Sequence, residues 1–443
     1  MAVNYINRNI DKDLITWAQE KNRKPLLLSG ARQVGKSSSV RHLAEQFDYF
    51  IEVNFEQDKR ARELFLKEIL TPQQLCQELA IIYETPIIPG KTLLFLDEIQ
   101  SSLPAISSLR FFYEKYRDLH VIAAGSLLEF ALQETPSFGV GRVRSMFLYP
   151  MSFFEFLNAA NNLMLLQAVK NADCNNPLSA PVHRKIIELL KKFLIIGGMP
   201  EVISAYINTN DLLACQRILD DLVISLRSDF VKYKEKAPVL QISAVFDSVA
   251  YQMGKKFVHT NVSRDYNIRQ LKESLELLKM SGLVIPVIHT AANGLPLGAE
   301  TDSKKQKMLL LDTGIFQRLL GLPLPDLLLN DDFTLVNKGN IAELFAGLEL
   351  LKSGSCYEQK NLFYWHRENK SSNAEVDYIV QAGRNIIPVE IKSNTKGSMQ
   401  SMRIFLEEKQ SPFGIRSSLE NFGEFQNIKI VPLYALGKFA ATL

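Results

Sequence analysis

Residues 24–47 read "KPLLLSGARQVGKSSSVRHLAEQF", and the fold turns on the middle of that stretch, "GARQVGKS" at 30–37. An apolar run ends in glycine, a short loop follows, and residues of helical spacing take over. The loop matches G-x-x-x-x-G-K-[ST] at every fixed position. Gly30 and Gly35 let the main chain bend until successive N–H groups face one point, and the next helix adds the positive end of its dipole. Such a cradle takes phosphate. Lys36 is placed to reach the β- and γ-phosphates, and the Ser37 hydroxyl to ligate Mg²⁺. The expected nucleotide contacts are Gly30, Gln33, Val34, Gly35, Lys36, Ser37 and Ser38.

Outward from the loop, "YFIEVNFE" (49–56), "KTLLFLDEIQ" (91–100), "HVIAAGSLL" (120–128) and "GRVRSMFLYP" (141–150) are further apolar runs separated by helical stretches. Unbroken apolar strands alternating with helices predict an α/β fold with a mostly parallel sheet covered on both faces. The run at 91–100 stops at Asp97 and Glu98. Acids at the carboxyl end of a buried parallel strand lie where ligands bind in such sheets. Asp97 is therefore expected on Mg²⁺ and Glu98 to polarise the attacking water. Ser126 is a candidate sensor of the γ-phosphate, with a self-satisfied turn serine as the competing reading. Arg142 and Arg144 are candidates for an arginine finger; because they follow the core, a finger would reach the site of a neighbouring subunit. Arginines on a solvated face are the alternative. No Asn-Lys-x-Asp segment occurs, which favours ATP over GTP.

Composition sets outer limits. The 443 residues carry a formal net charge of +3, with 47% apolar and 22% charged residues, so any polyanion site must be a local patch. Two or three compact units are expected at this length. The four cysteines form no C-x-x-C pair, which argues against a zinc site or a disulfide framework. The start of the chain has no secretory pattern, and no apolar run approaches the roughly 20 residues of a membrane span. A soluble, cytoplasmic protein with no membrane partner is expected.

Four parts are expected: a phosphate-loop core at 1–151, a helical lid at 152–237, a winged helix at 238–325 and a last domain at 326–443. In the winged helix, Arg264, Arg269 and Lys272, with Lys255 and Lys256 nearby, would contact DNA phosphates or else form a solvated face. The last domain contains "SNAEVDYIVQAGRNIIPVEIKSN" (372–394), in which Asp377 precedes Glu390 by thirteen positions and Lys392 follows. Restriction-type nucleases place an Asp on one strand and Glu-x-Lys on the next. Glu390 and Lys392 share a face because side chains alternate along a strand. Glu343, in the helix before, would add a third acid. Two carboxylates and a lysine in that order can hold Mg²⁺ and activate a water. A strand with charged edges is the competing reading.

The segments "NRNIDKDLITW", "LLSGARQVGKSS", "LLFLDEIQ", "AAGSLL", "GRVRSMFLYPMSFFEF", "IGGMPEV", "SVAYQMGKKF" and "LLLDTGIF" follow one another in an order that resembles the prokaryotic AAA-type ATPases with a C-terminal domain of unknown function, akin to archaeal-type ATPases. The resemblance runs along nearly the whole chain. It implies phosphate-loop roles for Gly35, Lys36 and Ser37, metal-binding and hydrolytic roles for Asp97 and Glu98, and a match of Arg142 to the family's "GR". It also implies a nuclease-like C-terminal fold. Where the family has Thr before Gly-Ser, this chain has Ala124. Two function classes follow: an ATPase acting on DNA or other nucleic acid, as a possible homo-oligomer, or a nucleotide-gated interaction switch whose nuclease-like domain is inactive.

Overall fold

Leu26, Leu27 and Leu28 are almost wholly buried because the strand they form, β1 (Leu26–Ser29), lies inside a parallel sheet with side chains packed on both faces. The structure, a computed structural model, describes residues 5–66, 71–126, 128–134, 141–233, 236–322, 338–367, 374–392 and 399–443. The other strands of this sheet are β2 (Tyr49–Asn54), β3 (Thr92–Asp97), β4 (His120–Gly125) and β5 (Arg144–Phe147). Their order is β2-β3-β4-β1-β5, and every pairing is parallel. An apolar core of Ile51, Val53, Leu94, Leu96, Ile106, Leu109 and Val121 fills one side.

The chain forms two compact units. The first comprises the residues up to Pro150 with Met280–Gly282 and Ser355–Gln359; the second comprises Met151–Lys279, Leu283–Gly354 and Lys360–Leu443. The four parts expected from the sequence are thus grouped differently: the lid, the winged-helix segment and the last domain share one unit. Sheet pairing gives the reason.

The helices Val239–Tyr251 and Ile268–Met280 are followed by an antiparallel hairpin, β6 (Val284–Thr290) and β7 (Thr301–Leu310). β6 also pairs in parallel with β8 (Leu362–His366), so the hairpin does not end in solvent as a free wing. It continues an eight-stranded sheet, β12-β13-β11-β10-β9-β8-β6-β7. The remaining strands are β9 (Glu375–Ala382), β10 (Asn385–Ile391), β11 (Gly414–Ser418), β12 (Gly423–Phe425) and β13 (Ile428–Pro432). The boundary expected at 325/326 lies outside the described residues.

The segments "IGGMP" and "LLLDTG", far apart in sequence, meet in the second unit. Asp312 caps the helix Thr313–Leu319 by accepting from Ile315 N at 3.0 Å, and it also accepts from Gly198 N at 2.5 Å. Side chains would not fit there: a Cβ on Gly197 would lie 2.1 Å from the Asp312 carboxylate, and one on Gly198 2.3 Å from Met151 O. Burial pushes the Asp312 carboxyl above its usual range, and the N–H donors pull it back. Among the described residues, no helix is long and apolar enough to cross a membrane.

Candidate functional site

The loop after β1 has the bends its glycines allow. Gly35 sits at φ +100° as the N-cap of helix α1 (Lys36–Ala44), and Gln33 is left-handed at φ +63°. A Cβ on Gly30 would stand 2.2 Å from Leu148 O, so only glycine lets the loop pass beneath β5's continuation. Val34 is fully buried. Lys36 is 7% exposed, and its ammonium donates to the loop's own carbonyls, Gly30 O at 2.9 Å and Ala31 O at 2.8 Å. Burial lowers its pKa to about 8, against the pull of Glu98 and Asp97.

β4 separates β1 from β3, yet the end of β3 reaches the loop. The Ser37 hydroxyl donates to Asp97 Oδ2 at 2.9 Å. Burial raises the Asp97 carboxyl, partly offset by this bond. Glu98 follows in a left-handed conformation at φ +50°, where a non-glycine residue is strained by about 1 kcal/mol or more. Its carboxylate accepts from Gln100 Nε2 at 2.5 Å. Gln100 lies across the end of β4 because Gly125 has no side chain there; a Cβ would fall 2.0 Å from Gln100 Oε1. Ser126 comes directly after Gly125, whose partner on β1 is Ser29, the residue before the loop.

The arginines lie elsewhere. Arg144 pairs with Leu26 and Phe147 with Ser29, so Arg144 is three residues, roughly 10 Å, back along the sheet from the loop. Arg142 pairs with Glu114 at 2.5 Å, and Arg144 with Glu20. Neither is brought to its own loop.

Arg8 is a residue that motif reading passed over. Nearly buried, it donates to Val34 O at 2.8 Å and to Tyr149 O at 2.7 Å, bracing the loop from beneath. Its own N–H donates to Asp11, and Tyr5 links Asp11 at 2.6 Å to Ser39 of α1 at 3.0 Å. The signal was present in "NRNID", a segment quoted for its family likeness and assigned no role.

The first unit is similar to an AAA ATPase domain. A family model described as "AAA domain" matches residues 22–157. Two further models match 187–326 and 338–436, each described as a domain of unknown function (DUF8612 and DUF4143). No curated protein matches the chain. Among solved structures, the Walker-type ATPase of Pyrococcus abyssi is 16% identical with a TM-score of 0.47, covering 72% of this chain and 97% of its own. The Aeropyrum pernix ORC1 protein, solved in complex with DNA, is 12% identical with a TM-score of 0.32, covering 72% and 94%. C. elegans PCH-2 is 14% identical with a TM-score of 0.26, covering 48% and 69%. Scores at this level say nothing of what this chain does.

In the second unit, Glu343, Asp377, Glu390 and Lys392 are all described, and the Asp377 charge acts on both Glu343 and Glu390. Asp377 Oδ2 accepts from Ile391 N at 2.8 Å. Lys392 pairs with Glu390 Oε1 at 2.5 Å, while Glu390 Oε2 is buried without a partner among the described residues. Glu343 turns to a residue the sequence reading did not single out: Lys307 of β7, at 3.0 Å. The same ammonium lies 2.6 Å from Glu375 and 3.8 Å from Asp377. Burial raises Glu343 to about 7, against the pull of Lys307; burial also raises Asp377 and Glu390.

On the helix Ile268–Met280, Arg269 and Lys272 are exposed, as is Arg264 before it, but Glu273 pairs with Arg269 at 3.0 Å. That face carries both signs of charge.

Proposed function

We propose that this chain binds Mg·ATP at the phosphate loop and hydrolyses it, and that its second unit responds to the nucleotide as a binding platform for nucleic acid or a protein partner. One observation carries the ATPase reading: the 2.9 Å contact between Ser37 and Asp97, with Glu98 next in sequence. A hydroxyl and a carboxylate at that spacing suit Mg²⁺, which keeps few protein ligands and fills its shell with phosphate and water. The bound cation would neutralise charge on the β- and γ-phosphates.

The chain's own groups do the rest. The loop N–H groups orient the phosphates, and Lys36 exchanges two neutral carbonyls for phosphate oxygens. Glu98 accepts the proton of the attacking water once the Gln100 contact opens. Because Arg142 stands away from its own loop, any catalytic part for it requires a second copy of the chain. Ser126, next to Gly125 at the end of β4, would sense the γ-phosphate from there.

Turnover of ATP by wild type, Lys36→Ala and Glu98→Gln tests the reading. Lys36→Ala is expected to lose nucleotide binding. Glu98→Gln is expected to bind Mg·ATP with turnover at least about 100-fold lower. Undiminished turnover in Glu98→Gln would remove that residue from its role.

The switch reading of the second unit, with no strand cleavage, is favoured by the lysine among its acids. Repeating the assay with DNA, and with molecular mass in solution, separates the two classes: stimulation by DNA supports work on nucleic acid, and stimulation by protein alone supports a switch.

A further inference from the structure

Asp377 and Glu390 of the hairpin β9–β10, with Glu343 of the helix before it, are candidates to hold a divalent cation, against the reading of a charged strand edge. The side chains do not fit that task. Glu343 faces Lys307, Glu390 faces Lys392, and Asp377 feels both, so each acid is already matched by an ammonium.

Lys307 is an unusual residue for its place. It lies on β7, the edge strand of the sheet, yet its side chain is 1% exposed. A lysine is almost never so buried unless it is paired. Here it reaches past β6 and β8 to the acids of β9, Glu375 at 2.6 Å and Asp377 at 3.8 Å, and to Glu343 on the helix Lys338–Lys352 at 3.0 Å. The Tyr364 ring lies beneath the ammonium, 5.3 Å from centroid to Nζ. Tyr378 ties the helix down by donating to Glu343 O at 2.7 Å.

We infer that the Lys307 ammonium occupies the position a divalent cation would take among Glu343, Glu375 and Asp377, so that this acidic cluster is neutralised from within and binds no Mg²⁺. An ion held by any two of those carboxylates at the usual 2.0–2.1 Å would lie within about 5 Å of a buried like charge. The lysine cannot swing aside as a surface side chain would, because its main chain is held on both sides, by Val287 of β6 and by a bridge to Lys256. The second unit therefore keeps the acids of a metal nuclease without the metal. This inference is independent of the ATPase reading.

The test uses the full chain without nucleotide, carrying Asp97→Asn so that the carboxylate in contact with Ser37 is removed from the nucleotide site. Mn²⁺ is added and its free signal followed by electron paramagnetic resonance. The chain with Lys307 intact is expected to bind no Mn²⁺ at the second unit. Lys307→Ala is expected to gain about one ion per chain, at least tenfold tighter than anything seen before the substitution, and to lose it again when Asp377→Asn is added. If Lys307→Ala does not fold, as judged by its melting curve, Lys307→Ala with Glu375→Gln relieves part of the repulsion and retains two carboxylates. Mn²⁺ bound with Lys307 in place and lost in Asp377→Asn or Glu390→Gln overturns the inference. So does a folded lysine variant that gains no ion.

Discussion

Lys36 and Lys307 are both more than nine-tenths buried, and their surroundings are opposite. Lys36 rests on two carbonyl oxygens of its own loop, and burial lowers its pKa to about 8. At Lys307 burial also acts to lower the pKa, but Glu343, Asp377 and Glu375 outweigh it and raise the value above its ordinary one. Neutral carbonyls are weak partners that a phosphate can replace; carboxylates already in contact leave an ammonium nothing to gain from an incoming anion. The same residue type thus makes one site ready for a ligand and closes the other.

Substitution separates the two lysines most sharply. Lys307→Met leaves three carboxylates around a lost cation, and removing one partner of a buried pair costs about 3–5 kcal/mol. Denaturant unfolding of the second unit should show that loss. Lys36→Met leaves two carbonyls that water can satisfy, so stability should change by less than about 1 kcal/mol. Calorimetry should nevertheless find Mg·ATP binding weakened at least about 100-fold, since the loop loses the charge-assisted contact of its lysine to the phosphates. Equal destabilisation by the two substitutions would end the contrast.

Asp312 extends the comparison to a buried carboxyl held chiefly by main-chain N–H groups, with the Lys352 charge a smaller influence. Its donors include the N–H groups of Gly198 and Ile315, and it holds together two segments more than a hundred positions apart. Asp312→Ala leaves those donors unpaired and uncaps the helix Thr313–Leu319, at a cost of about 2–3 kcal/mol. Asp312→Asn keeps one acceptor oxygen and should lose less. Thermal melts of the two variants decide; equal losses would mean that shape, not charge, holds the segments.

Much of the first unit was legible in the sequence because its information is local. Buried parallel strands are continuous apolar runs, and the phosphate loop fits in eight consecutive residues whose spacing is dictated by the ligand. The end of β3 at Asp97 was legible for the same reason, since a strand's end is visible where apolar residues stop. What was hidden is non-local. Lys307 and Glu343 are 36 residues apart and lie on different elements, so the strand "KKQKMLLLD" reads as a charged edge passing into a core. The hairpin looked like a wing because nothing within it announces that β6 pairs with β8. β11, β12 and β13 passed unnoticed, being three to five residues each with polar positions among them. Arg8 was hidden because its work is done through carbonyl oxygens, which leave no trace in residue types.

His120 is the mildest case, a titratable group buried with no counter-charge. It stands on β4 with its ring against Trp17 and Phe47, and Nε2 donates to Ala18 O at 2.9 Å. Nδ1 has no partner among the described residues, so a second ring proton would have no acceptor. Burial, with a smaller push from Arg23, lowers the pKa from 6.5 to about 4 despite the Ala18 bond. The neutral ring is the form the fold accepts. Its contribution is therefore fully present above pH 6.5 and declines as pH falls toward 4, because the unfolded chain takes up the proton first. At pH 5 the loss is about 2 kcal/mol relative to pH 7.5. Unfolding of the first unit followed at both pH values should show it, and His120→Phe, which keeps a ring and cannot titrate, should flatten the dependence by that amount. If the variant keeps the full acid sensitivity, the proton goes elsewhere and His120 is an ordinary core ring.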